Sequence, residues 1–169
     1  GRSLDDKRWT IAYVMDNGPV RFYIYDRPAD GEKGERKATF LFTSNRELEN
    51  LPLVKMHPQV IKSRDGLNLL SYLTLPKWSD PDGDGRPNQP LPLVLNVHGG
   101  PWARDEWGYD PEHQLLANRG YAVLAVNYRG STGLGKEFIN KAQREWAGKM
   151  HDDLIDAVDW AVKEKIAQK

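Results

Sequence analysis

Leu91-Pro92-Leu93-Val94-Leu95-Asn96-Val97-His98-Gly99-Gly100-Pro101 decides the fold. Its first seven residues are almost continuously apolar, the pattern of a strand buried on both faces of a parallel sheet. A second such run covers residues 121–127. Between the two, residues 111–120 read as a helix closed by Gly120. Residues 136–146 predict a short helix and 152–166 a stronger one. In the latter, Leu154, Ile155, Val158, Ala161 and Val162 share a face. Asp152 and Asp153 fall in its first turn, where the helix dipole favours negative charge. Strand, helix, strand, helix implies an α/β fold with a growing parallel sheet.

Upstream the texture is different. Residues 57–63 and 67–75 alternate around Arg64-Asp65-Gly66, which predicts a hairpin whose Asp-Gly pair suits a type I′ turn. Residues 8–15, 20–26 and 38–43 predict three short antiparallel strands, with a polar turn at 28–34 and a charged, solvated run at 32–37. Three strands cannot bury both of their faces alone. The change of composition near residues 45–56 divides the chain into 1–50 and 51–169.

Composition narrows the function. The chain has 169 residues, 24 basic and 24 acidic, for a formal net charge of zero. No basic run offers a surface to nucleic acid or an anionic membrane. No apolar stretch approaches the roughly 18 residues of a membrane span. Cysteine is absent, so disulfides and thiolate metal sites are excluded and the compartment is unreadable. Asp80-Pro81-Asp82-Gly83-Asp84-Gly85 has the opening of a calcium loop, but Leu91 occupies the position of its closing Glu. A solvated turn is the better reading; no metal or cofactor is expected.

His98-Gly99-Gly100-Pro101 follows the first buried strand, at the carboxyl edge of a parallel sheet where ligands bind. Two glycines let the backbone turn sharply and present N–H groups outward. Alone, the motif is equally a glycine turn. Its context is more specific. The loop Arg129-Gly130-Ser131-Thr132-Gly133-Leu134-Gly135 follows the second buried strand. Together with His98–Pro101, Arg64-Asp65-Gly66 and residues 146–153, it resembles the prolyl oligopeptidase family of serine peptidases. The likeness is strongest to the acylaminoacyl-peptidase and dipeptidyl-aminopeptidase-like branch, and it spans roughly residues 57–166.

The resemblance implies the N-terminal half of an α/β-hydrolase domain, preceded by the closing strands of a β-propeller. It implies hydrolysis of short peptides by Ser-His-Asp acyl transfer. Gly100 would then donate its N–H to the oxyanion, with Gly99 permitting the turn and His98 structural. The nucleophile's Gly-x-Ser-x-Gly turn is expected after helix 152–166, and none is present. Ser131 comes nearest among six serines, but Arg129 stands where the first glycine belongs. The triad Ser, Asp and His are therefore absent, and the chain alone is expected to be inactive. Arg129 is read as a loop support paired with Asp152 or Asp153, the alternative being a substrate contact. Tyr128 and Trp102 are read as packing residues, with Trp102 alternatively lining a substrate pocket. Two further readings stay open, an ester-cleaving relative and a non-catalytic binding module. Self-association is expected because the last strand of the truncated sheet would lack a neighbour.

Overall fold

A computed structural model describes residues 1–28 and 36–169. Most of the polar turn at 28–34 and of the charged run at 32–37 lies outside the described residues. The chain divides into two compact units, 1–53 and 54–169.

The first unit is a three-stranded antiparallel sheet, β1 (Arg8–Tyr13), β2 (Arg21–Asp26) and β3 (Ala38–Thr43), in that order. Aromatic cross-strand pairs set its register. Phe22 stacks on Phe42 at 4.8 Å, and Tyr23 meets Tyr13 and Phe40 edge-on at 5.3 and 5.6 Å. Among the described residues of this unit nothing covers either face, and Phe40, Phe42 and Tyr13 stand about half exposed.

The second unit is a mixed α/β layer. Its sheet has the order β4 (Met56–Lys62), β5 (Asn68–Thr74), β7 (Ala122–Val126), β6 (Leu93–Asn96). β4, β5 and β7 pair antiparallel, whereas β6 and β7 pair parallel. Helix α1 (Pro111–Asn118) makes the crossover between β6 and β7; α2 (Lys136–Asn140) and α3 (Lys149–Lys163) follow. Ile61, Leu69, Leu73, Leu124, Ala157 and Ala161 meet in one buried cluster.

Sequence and structure differ in four places. β6 is four residues long and only half-buried, because it forms an edge beyond β7. The later strand, β7, is central and wholly buried, so the open edge belongs to the earlier one. The hairpin turn is not type I′. Gly66 alone is left-handed (φ +86°), and its N–H bonds the Ser63 carbonyl while Ser63 N–H bonds Leu67. That is a three-residue loop with a glycine bulge, which needs positive φ only at the glycine. α2 ends at Asn140 rather than continuing to 146. Finally, α3 begins at Lys149 and buries Met150, Asp153, Ala157 and Ala161, leaving Ile155 exposed. Burial of a charged residue, Asp153, rotates the helix away from the face that hydrophobicity alone selects.

Beyond α3 the chain turns at Lys165 (φ +61°) and forms a parallel bridge between Ala167 and Leu91. Leu91 N–H donates to Ile166 and Gln168 N–H donates to Leu91, both at 2.9 Å. The neighbouring carbonyl, Pro92, accepts instead from Ala122 at the start of β7. Alternation along a strand therefore puts the bridge on the side of β6 facing away from β7.

Candidate active site

The loop that leaves β6 is exposed at Gly99 and Gly100 and buried again at Pro101. Gly100 takes φ +127°, and a Cβ there would lie 2.7 Å from the Trp102 nitrogen and 3.2 Å from that of Ala103. A Cβ on Gly99 would meet nothing within 4 Å. The residue whose backbone demands glycine is thus Gly100, not Gly99 as the turn reading supposed. Neither amide donates a backbone hydrogen bond among the described residues.

The second loop, leaving β7, braces the first. Tyr128 Oη–H donates to the His98 carbonyl at 3.0 Å, and the two rings stack at 4.6 Å, 12° from parallel. His98 Nε2 lies 2.9 Å from Ser131 Oγ, and its Nδ1 lies 2.9 Å from the Gly99 carbonyl. Ser131 commits its single proton to the Tyr128 carbonyl at 2.7 Å. Its oxygen is left free to accept from the His98 ring. Further along, Thr132 N–H donates to Ala103, and the Asn127 amide bonds both the N–H and the carbonyl of Asp105. The Asp105 carboxyl keeps a buried Oδ2 without a hydrogen bond. Burial pushes it above the ordinary carboxylate range; Asp110 adds to the shift and His98 opposes it.

Beneath these loops lies a buried ion network. Arg129 is 3% exposed. Its backbone N–H and Nε donate to Asp153 Oδ2 at 2.9 and 2.8 Å, and Nη2 donates to Asp153 Oδ1 at 2.6 Å. Nη1 and Nη2 also fork onto the two oxygens of Asp65 at 2.9 Å. Of the two partners expected for Arg129, Asp153 takes the place, while Asp152 pairs with Arg64 at 3.1 Å. Arg64 also donates to Asp156 from its backbone N–H and Nε. The hairpin turn, the β7 loop and α3 are thereby tied at one point. Sequence reasoning missed Asp65, whose Asp-Gly context reads as turn chemistry alone.

The Asp65 carboxyl is held well below its usual range by hydrogen bonds from Arg129 and then Ser63. A depressed carboxylate pKa contributes stability that is complete above the unfolded value, about 3.9, and is lost as pH falls below it. Asp65→Asn should therefore flatten the acid limb of a stability–pH curve measured by urea unfolding between about pH 5 and pH 2. An unchanged limb would remove Asp65 from the acid response.

Next to the glycine loop is a cavity of about 400 Å³, lined by Pro101, Trp102, Ile139, Ala142, Arg144 and Trp146, among others. Trp102 is 70% exposed and lines this cavity, the alternative to the packing role read from the sequence. The opposite wall comes from the segment between α2 and α3. There Arg144 (φ +60°) and Ala147 (φ +56°) both take left-handed backbone, flanking Trp146. Non-glycine residues held so cost on the order of 1–3 kcal/mol each and cluster at ligand sites. Nothing in the sequence pattern foretold this strap, because left-handed backbone at Arg and Ala has no local signature.

The Asp80-x-Asp82-x-Asp84 turn brings three carboxylates within 4.8 Å of one another. Asp80 is buried, accepts from the N–H groups of Asp84 and Gly85, and lies 3.2 Å from His57 Nε2.

Comparison with known proteins agrees with this geometry. Residues 107–169 match the prolyl oligopeptidase family. Dipeptidyl aminopeptidase BIII of Pseudoxanthomonas mexicana is 56% identical over 98% of this chain and 23% of its own length. Dipeptidyl peptidase family member 6 of Caenorhabditis elegans is 36% identical over 99% of the chain and 24% of its own length. Among solved structures, a puromycin-hydrolysing peptidase of Mycobacterium tuberculosis superposes with a TM-score of 0.73 at 24% identity, over 96% of this chain and 24% of that one. An acylaminoacyl peptidase of Pyrococcus horikoshii gives 0.67 at 23%, with 96% and 24% covered. The chain spans about a quarter of the length of the curated relatives it matches. The chain is thus similar over residues 107–169 to the prolyl oligopeptidase family, and along nearly its whole length to dipeptidyl aminopeptidases.

Proposed function

We propose that this chain is part of a serine peptidase that hydrolyses short peptides, and that it supplies the oxyanion half of the active site. The observation that carries this is Gly100: an exposed residue whose amide has no backbone partner among the described residues, just past the carboxyl end of a parallel strand and braced by the loop after β7. In acyl transfer a serine hydroxyl adds to the peptide carbonyl and its proton passes through a histidine to the departing amine. The C–N bond breaks, a seryl ester remains, and water then splits it. Negative charge builds on the carbonyl oxygen at each addition, and a preorganised N–H there lowers the barrier.

The bridge between Ala167 and Leu91 favours a further parallel strand on the outer edge of β6. A Gly-x-Ser-x-Gly turn at the end of such a strand would stand beside Gly100. No residue of this chain forms that turn, so we assign the nucleophile, its aspartate and its histidine to the rest of a longer protein. Under this reading the first unit supplies propeller strands, whose uncovered faces call for neighbours. His98 and Arg129 act by positioning, Arg129 having four of its side-chain N–H bonds taken by Asp65 and Asp153. Neither nucleic acid nor membrane is assigned as a partner, and the half-buried β6 edge favours self-association of residues 1–169 alone.

A fluorophosphonate probe tests the division of labour. The full-length protein should label at one serine, and residues 1–169 should not. Labelling of the shorter chain would sink the assignment of the nucleophile elsewhere, and no labelling of the longer one would sink the serine mechanism. An ester-cleaving reading would be favoured instead if the full-length protein turned over esters but no peptide.

A further inference from the structure

The cavity beside Gly100 has no part in the acyl-transfer chemistry above, yet its lining is that of a ligand site. Two indoles, Trp102 and Trp146, stand 70% and 64% exposed on its walls, with Ala142 and Pro101 buried behind them. Exposed tryptophans facing one cavity are costly to leave in water and suit an apolar or aromatic occupant. Its volume of about 400 Å³ falls within the size range of small-ligand pockets.

Charge identifies which part of a peptide belongs there. Arg144 lines the cavity, is exposed, and makes no ion pair among the described residues. Of the neighbouring charges, Lys141 pairs with Glu137 at 3.3 Å, and the Glu145 carboxylate accepts from the Lys149 backbone N–H. The strained backbone at Arg144 and Ala147 sets this one free guanidinium and the Trp146 indole on the cavity lining. A peptide has two ends of opposite sign. On the acyl side of the scissile bond lies an N-terminal ammonium, which a guanidinium repels. Past the scissile bond, the leaving group of a short peptide ends in a free carboxylate, which a guanidinium binds by a fork of two N–H bonds.

We propose that this cavity is a leaving-group subsite in which Trp102 and Trp146 hold an apolar side chain and Arg144 binds the peptide's terminal carboxylate. The assignment rests on the serine-peptidase reading above. It makes the enzyme prefer substrates whose chain ends within a residue or two of the cleaved bond. Longer peptides and C-terminal amides lack a carboxylate at that distance.

The test uses the full-length protein and matched tetrapeptides ending in phenylalanine, one a free acid and one an amide. A dipeptidyl nitroanilide, which carries no leaving-group carboxylate, serves as a third substrate for the wild type. The acid should exceed the amide in kcat/KM by about 5- to 20-fold, the range for a charge-assisted contact at a partly exposed site. R144Q should bring that ratio close to one, R144K should keep part of it, and 1 M salt should shrink it in the wild type. W146A should raise KM for the phenylalanine peptide more than for one ending in glycine. Equal turnover of acid and amide by the wild type, or a ratio unmoved by R144Q, would overturn the subsite. Failure to cleave the nitroanilide and both peptides would count against the peptidase reading itself.

Discussion

Gly100→Ala is expected to lower kcat of the full-length protein by about 10²- to 10³-fold, the loss that removal of the proposed oxyanion donor implies. The cause is geometric. At φ +127° the new Cβ would press to 2.7 Å on the Trp102 nitrogen, a backbone atom that no rotamer change can move. Relief comes only by rotating the Gly100 peptide, which swings its N–H away from the reacting oxygen. The interaction strengthens as charge develops, so KM should move little while kcat falls. Gly99→Ala is the internal comparison. Open space surrounds that position and its backbone is not left-handed, so a change within about 0.5 kcal/mol is expected. Equal melting temperatures for the two variants would separate the chemical effect from a folding defect. A Gly100→Ala enzyme with undiminished kcat would take Gly100 out of the reaction.

Asp153→Ala should cost the full-length protein about 3–5 kcal/mol of stability, the range for stranding one partner of a buried ion pair. The Arg129 guanidinium is 3% exposed and Asp153 is wholly buried, so water cannot replace the lost carboxylate. Asp65 remains as a second partner, but it is nearly half exposed and binds only the outer edge of the fork. Removing both charges together should be far milder. Arg129→Met with Asp153→Leu leaves no unpaired ion and lets Asp65 return to water, so most of the loss should be recovered. Urea midpoints of Arg129→Met, Asp153→Leu and the double complete the cycle. If the double variant were as unstable as Asp153→Ala, the ion-pair explanation would fail and packing around α3 would take its place.

The elements that sequence reveals here are those with a strong local cause. β3 spans 38–43 as its alternation predicts, and α1 starts at Pro111 behind an Asp110 cap and is closed by Gly120 (φ +93°). The motif at 98–101 was legible because two adjacent glycines after an apolar run have few other uses. Illegible features depend on contacts distant in sequence. Half-burial of β6 follows from its place at a sheet edge, which its apolar composition does not encode. Rotation of α3 follows from one aspartate meeting an arginine 24 residues away. The role of Asp65 depends on a partner 64 residues distant, and the cavity depends on a strap whose left-handed residues are an arginine and an alanine.

The insertion of β7 between β5 and β6 also constrains the order in which this unit can form. β4 and β5 are joined by a tight turn and can zip as soon as both have been made. Among the described strands, β6, made next, pairs with β7 alone. It must wait for the ribosome to extrude residues 122–126, by which time α1 is complete. Until then its Leu and Val side chains have no docking partner within the sheet, so the interval between emergence of residues 93–96 and of residues 122–126 leaves the chain most open to misassembly or chaperone capture.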